Sequence, residues 1–347
     1  MIDNLLLQFI EKIPEAFIGM IILLAVIAVC LLVLGKGADI LVDEAVGLSV
    51  KWGVPKMLIG ATVVSLGTTL PEVTVSVLAA INGSPDLAMG NAVGSIICDT
   101  GLILGIAIII NPLPFKKSVV SRQSWNQFGA GMLLVLTAFV FGGGIKSINH
   151  GGSIPQVMGW VFLGILVLYI MSTIRCAKKS DGDEECSFAI PADQSAANIL
   201  IKLMFGIVLV IASSKVLIPV VQELAMRLHI PETVIAATLV AFGTSLPELI
   251  TAVNASRKGY GDLAIGNVLG ADILNVLFVV GAAASVTPGG LHVDVNFFHI
   301  LFPAMIFVLL VSKLSISFSK DSLKKPVGFV LLGAYLIVTV ASYVINV

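Results

Sequence analysis

The chain has 347 residues, 57% of them hydrophobic and only 12% charged, with a mean hydropathy of +1.05. Soluble domains carry about 25% charged residues, so a water-soluble fold, a disordered chain and a fibrous one are all excluded. What remains is an all-α polytopic membrane protein. Its four cysteines lack the CxxC or CxxH spacing of a zinc site or disulfide framework.

In chain order, MIDNLLLQFIEKIPEAF places Asp3 and Glu11 where a signal peptide would be basic, and is expected to form a short interfacial helix. Apolar runs of spanning length follow at 15–35, 54–81, 87–111, 128–144 and 157–174. The polar stretch after them reads as a solvated linker. Five more runs lie at 197–220, 231–256, 263–287, 296–312 and 327–346, making ten spans in all. The expected organisation is a first half, 1–174, a linker, 175–196, and a second half, 197–347.

Ten spans put both termini on one side. Sixteen Lys and Arg residues fall on the opposite side, against Lys12, Lys146, Lys215 and Arg227 on the terminal side. Short basic loops stay cytoplasmic, so both termini are expected outside the plasma membrane and the linker inside. Cys176 and Cys186 would then be free thiols in a reducing compartment.

The strongest internal signal is a repeat. Residues 61–105 align without a gap to 237–281 at an offset of 176, with 19 of 45 positions identical. Chance matching would give about 3 to 5. Each half holds an odd number of spans, so the second copy would be inverted relative to the first. Inverted repeats are an architecture of secondary transporters, with the substrate site at the repeat interface near the midplane.

Of 21 acidic residues, only Glu72, Asp99, Glu248 and Asp272 fall inside expected spans. An ionisable group at that depth costs roughly 2.5–3.5 kcal/mol on insertion scales and is functional by default. Glu72 and Glu248 occupy identical repeat positions, closing the runs Gly67-Thr68-Thr69-Leu70-Pro71-Glu72 and Gly243-Thr244-Ser245-Leu246-Pro247-Glu248. Pro inside a helix removes a donor and clashes with the carbonyl four residues back, so both helices are expected to break there. Carbonyls from Ser65 to Thr68 and from Ala241 to Thr244 would then need partners, and irregular backbone at this depth belongs beside a cavity. Ser65, Thr68, Thr69 and Glu72 share one helix face, although serine and threonine hydroxyls also bond back to their own helix.

The second span of each copy adds a polar stripe: Asn91, Ser95 and Asp99, then Asn267, Ala271 and Asn275. Gly90, Gly94, Gly266 and Gly270 flank the stripes and would permit close packing. Asn91 and Asn267 are either ligands or structural ties between broken helices. The assembled donors are all hard oxygens, which suits calcium with its 6–8 ligands and not zinc or copper. Nothing positive lines the pocket, so anions are disfavoured. No resident cofactor, nucleic acid or obligatory protein partner is expected; the partners are transported ions and the lipid bilayer.

At these residues the sequence resembles the cation/calcium exchanger superfamily, most closely its prokaryotic sodium/calcium exchangers. The two copies look like that family's alpha repeats, here about 55–111 and 231–287, and GTTLPE and GTSLPE look like its ion-site signature. The resemblance implies five plus five inverted spans, alternating access, a sliding gate made by the first and sixth spans, and calcium extrusion driven by sodium. It implies central carboxylates at Glu72 and Glu248, oxygens from Thr68, Thr69, Thr244 and Ser245, carbonyls from Ser65 and Ala241, and a sodium site at Ser95. It also implies a transporter rather than an enzyme, without a large cytoplasmic regulatory domain.

Three departures stand out. Ala271 occupies a position where the family usually has Ser, Asp99 and Asn275 exchange the expected acid and amide, and Asp272 stands where Asn is usual. Asp272 lies about 100° round the helix from the stripe, as a peripheral ligand or proton site. Three acids would be neutralised by about three sodium ions, whereas one calcium leaves a charge near −1. Calcium/proton exchange and potassium-dependent sodium/calcium exchange are the alternatives within the family. A cation channel and an intramembrane aspartyl protease are the alternatives outside it.

Overall fold

The computed structural model describes residues 17–179, 195–227 and 243–345. It is all-helical apart from four very short strands. The helices are α1 (Phe17–Trp52), α2 (Lys56–Thr68), α3 (Leu70–Ile81), α4 (Pro85–Ile110), α5 (Lys117–Phe141) and α6 (Gln156–Lys179). After the linker come α7 (Ala196–Arg227), α8 (Leu246–Arg257), α9 (Gly261–Val286), α10 (Phe297–Phe318) and α11 (Lys325–Ile345). Seven described helices are long and apolar enough to cross a membrane, and the bent pair α2–α3 makes an eighth candidate. The first part of the expected span 231–256 lies outside the described residues. The apolar stretch of α11, Lys325–Ala341, is shorter than the others.

Several helix ends differ from expectation for one reason: hydropathy marks the lipid-soluble part of a helix, not its last hydrogen bond. The first run was expected to end at 35, yet α1 continues to Trp52 over 36 residues. At 1.5 Å per residue that is about 54 Å, well beyond a hydrocarbon core of about 30 Å. The extension carries Asp39, Asp43 and Glu44, and Lys258 binds Asp43 at 2.8 Å and Asp39 at 3.1 Å. Likewise α5 begins at Lys117 rather than 128, and α10 runs on to Phe318. Lys313, expected in a loop, lies within α10 with its ammonium 3.1 Å from the centre of the Trp125 ring.

Burial defines layers. In α9 94% of the spanning window is buried and in α4 72%, whereas α1 has only 22%. α9 and α4 are therefore central, and α1 packs along α7 at the periphery with Leu32, Val29 and Leu24 exposed. The α1–α7 contact is close because Gly206 has no side chain; a Cβ there would sit 2.9 Å from the Leu41 amide nitrogen.

Two ribbons tie the connections together. β1 (Leu113–Pro114), after α4, pairs antiparallel with β4 (Ser322–Leu323), after α10. β2 (Gly152–Ile154), after α5, pairs antiparallel with β3 (Leu291–Val293), after α9.

Candidate functional site

Each copy of the repeat breaks at its Pro motif. The helix ends at Thr68 and restarts at Leu70, bent by 46°, with Thr69 at φ −80°, ψ −2°. Ser245, the counterpart of Thr69, has nearly the same backbone at φ −85°, ψ 7°. Pro71 and Pro247 therefore sit in the first turns of α3 and α8, where the missing N–H costs nothing. Glu72 and Glu248 follow in those same first turns, where a helix N-terminus favours negative charge. The helices break as expected, but the Ser65 carbonyl is not left free: it accepts the Thr69 amide at 2.9 Å and the Thr68 hydroxyl at 3.4 Å. Ala241 lies outside the described residues.

Both central helices widen into a π-helical turn at the stripe, Cys98–Ile103 in α4 and Asn275–Val280 in α9. Such turns concentrate at functional sites because one extra residue re-aims the side chains around it. They carry Asp99 and Asn275 to the same level, where the Asn275 amide donates to Asp99 Oδ2 at 3.5 Å.

The polar side chains meet across the two halves. The Thr69 hydroxyl donates to Glu248 Oε1 at 3.3 Å, Ser245 donates to Ser95 Oγ at 3.2 Å, and Thr244 donates to Asn91 Oδ1 at 3.2 Å. Thr68 also lies within electrostatic reach of Glu248, as Ser245 does of Glu72 and Asp99. Glu72, Glu248, Asp99 and Asn275 are each 1% exposed. Among the described residues, both carboxylate oxygens of Glu72, Glu248 Oε2, Asp99 Oδ1 and Asn275 Oδ1 have no hydrogen-bond partner. Buried charges without partners are too costly to persist, so this set calls for an external cation or protons. Among the described residues no three His, Cys, Asp or Glu side chains converge as a ready metal cage. Hydroxyls, amides and carbonyls would have to complete any shell.

Asn91 is a tie. Its amide donates to the Glu72 carbonyl at 3.2 Å and to Ser76 Oγ at 3.0 Å while its oxygen accepts Thr244. Asn267 is fully buried, and neither of its amide atoms bonds to any of the described residues. Ala271 is fully buried and offers no side-chain oxygen. Asp272 faces away from the stripe, accepting hydrogen bonds from Thr100 and Gln127 through Oδ2.

The flanking glycines divide. A Cβ at Gly266 would collide with the Met57 carbonyl oxygen, and one at Gly270 would meet Ala61 Cα at 2.5 Å, so α9 lies directly against α2. A Cβ at Gly90 or Gly94 would meet nothing from neighbouring helices within 4 Å among the described residues. The repeat counterparts of Met57 and Ala61 are positions 233 and 237, outside the described residues.

Ser76, Thr251, Thr100, Gln127 and Ser124 are buried polar residues that motif reading passed over. Ser76 and Thr251 lie four and three residues beyond the two glutamates, on their helix faces, so helical spacing would have found them.

A largely apolar helical bundle with carboxylates at its centre, facing each other across a sequence repeat, defines a polytopic membrane transport protein. The chain belongs to the sodium/calcium exchanger protein family, whose model matches residues 12–175 and 198–344. It is similar to the inner membrane protein YrbG of Escherichia coli, 33% identical over 78% of this chain and 82% of that one. It is also similar to the sodium/calcium exchanger MaX1 of Methanosarcina acetivorans, 28% identical over 88% and 94%. Among solved structures it resembles the sodium-calcium exchanger NCX_Mj soaked with 10 mM Na+ and zero Ca2+, with a TM-score of 0.74 and 26% identity, covering 92% of this chain and 98% of that one.

Proposed function

We propose that the protein is a secondary antiporter moving calcium across the membrane in exchange for sodium, by alternating access. One observation carries this reading: hard oxygen donors from both halves converge on Glu72, Glu248 and Asp99, whose oxygens are buried and largely unpartnered. Calcium or sodium would occupy the same carboxylates, never both, with Thr68, Thr69, Thr244, Ser245, Ser95 and Asn275 completing the shells. Competition for one charge set gives obligatory exchange without a catalytic step or resident cofactor. MaX1 is named a sodium/calcium exchanger, which supports the choice of ions.

The architecture proposed with it is ten spans in two inverted halves, 1–174 and 197–347, joined by the cytoplasmic linker 175–196, with both termini outside the plasma membrane. The paired ribbons favour it. β1 follows the third expected span and pairs with the segment after the ninth, while β3 follows the eighth and pairs with the segment after the fourth. Shifting by five spans converts one pairing into the other, as inverted repeats require.

Calcium flux in proteoliposomes under separate sodium, potassium and proton gradients tests the reading. Uptake should follow an opposing sodium gradient and be trans-stimulated by sodium. Uptake that ignores sodium and follows pH would replace it with calcium/proton exchange. Ala271 favours that second reading, because it removes a hydroxyl from the sodium-binding set.

A further inference from the structure

The geometry points to a second cation site between α4, α5 and α9, in which Asp272, Thr100 and Gln127, with Ser124 one turn along, hold one monovalent metal ion. All four side chains are at most 2% exposed. Thr100 Oγ1 and Gln127 Nε2 both donate to Asp272 Oδ2, and Gln127 Nε2 also reaches Thr100 Oγ1 at 2.8 Å. The other polar atoms are unpartnered: among the described residues, Asp272 Oδ1, Gln127 Oε1 and Ser124 Oγ make no hydrogen bond. The free carboxylate oxygen and two further orphaned oxygens, on Gln127 and one turn back on Ser124, are unsatisfied acceptors, and acceptors are what a metal ion requires.

Charge fixes the class of ion. Among the described residues no Lys, Arg or His pairs with Asp272; Lys202, Arg227 and Lys258 make their ion pairs elsewhere. The titratable groups that act on Asp272 are themselves acidic, Glu248 and Asp99. The neighbouring acids belong to the exchange site, so the one carboxylate of this site is matched by one positive charge, that of a monovalent ion. Carboxylate, amide and hydroxyl oxygens are hard ligands, which selects an alkali cation over a transition metal.

The site is not a copy of the central pair. The repeat counterparts of Asp272 and Thr100 are Ile96 and Val276, so it exists in one half only. Its function rests on the exchange reading. Asp272 lies one turn before Asn275, and Thr100 follows Asp99, so an ion here adds one positive charge beside the exchange site. It would weaken calcium binding and make it depend on the concentration of that ion.

Binding of sodium-22 and rubidium-86, the latter standing in for potassium, to the full-length protein in lipid nanodiscs tests the site. The background is the Glu72→Gln/Glu248→Gln double variant, which disables the central carboxylates. The double variant should retain about one of these ions per chain, and adding Asp272→Asn should abolish its binding. Gln127→Leu should weaken it by about tenfold or more. Asparagine keeps an oxygen to accept both hydrogen bonds, so the fold should hold, as elution and melting profiles would verify. A double variant that binds neither ion, or binds equally well after Asp272→Asn, overturns the proposal. Calcium-45 binding to the parent and double variant reports separately on the exchange site, so either reading can fail alone.

Discussion

The two copies of the repeat carry the same residues at several site positions yet bond them differently. In the second copy Thr244 donates to Asn91 and Ser245 to Ser95. Symmetry would have Thr68 donate to Asn267 and Thr69 to residue 271. Residue 271 is Ala, so the second bond cannot form, and Thr69 turns to Glu248 instead. Thr68 bonds back to the Ser65 carbonyl, and Asn267 is left with no partner among the described residues. One missing hydroxyl accompanies a rearrangement of neighbours with conserved identity: sequence symmetry does not guarantee symmetry of bonding. One half is cross-braced through Asn91, while the other leaves polar groups available.

The glutamates should break the comparison if its central premise is wrong. Glu72→Gln and Glu248→Gln each remove a charged ligand worth about 1.5–3 kcal/mol, so calcium-45 binding should weaken by about 10- to 100-fold in either variant. Glu248 already holds one hydroxyl and Glu72 holds none, but the missing charge is common to both. If only one substitution matters, the two halves do not share the ion.

The asparagines test bracing directly. Asn91 makes three hydrogen bonds joining α4, α3 and the turn before α8, so Asn91→Ala should cost about 2 kcal/mol. Asn267→Ala removes a side chain with no bonds and should cost less than about 1 kcal/mol. Melting of the detergent-solubilised protein measures both. Equal losses would mean that Asn267 has a partner of equal weight and that the halves are braced alike.

Restoring the missing hydroxyl should move the second half toward the first. Ala271→Ser offers Thr69 the partner that Ser95 gives Ser245, releasing Glu248 Oε1 for an ion. A hydrogen-bond-sized gain of about 1 kcal/mol predicts an approximately fivefold increase in apparent sodium affinity, read from sodium-dependent calcium efflux. Unchanged sodium dependence would remove Ala271 as the origin of the asymmetry. Packing at this fully buried position opposes the gain, so the melting temperature should fall slightly.

The central acids were legible because charge is rare in apolar runs, and the two PE motifs because they repeat. Gln127 was not legible. Its partners Thr100 and Asp272 lie 27 and 145 residues away, and an expected fourth span starting at 128 left it outside the membrane. The π-helical turns at Asp99 and Asn275 have no propensity signature; each inserts a residue into an otherwise α-helical ladder. Departures from family pattern were visible at Ala271 and Asp272, but their consequences were not. Whether a lost hydroxyl is replaced, and what a displaced carboxylate faces, depends on side chains from other helices.

The smallest expected effect lies at the turns that join each pair of repeat helices. The turn between α8 and α9 carries Lys258, bound to Asp39 and Asp43 on the α1 extension. Its counterpart between α3 and α4 is Asn82, an exposed residue without charge. Burial lowers the affinity of Lys258 for its proton, but hydrogen bonds and attraction from Asp43 and Asp39 outweigh this and hold it above the ordinary value of 10.5. A raised lysine stabilises the fold at all pH values below the unfolded value and loses that contribution as pH rises through the folded one. The margin that Lys258 gives the parent, about 1 kcal/mol or less because the pair is partly solvated, should therefore stay constant between pH 6 and 9. Above about pH 10.5 the parent should lose that margin relative to Lys258→Met, which has none to lose. A margin that disappears near neutral pH would show that this turn is held by something other than the ammonium.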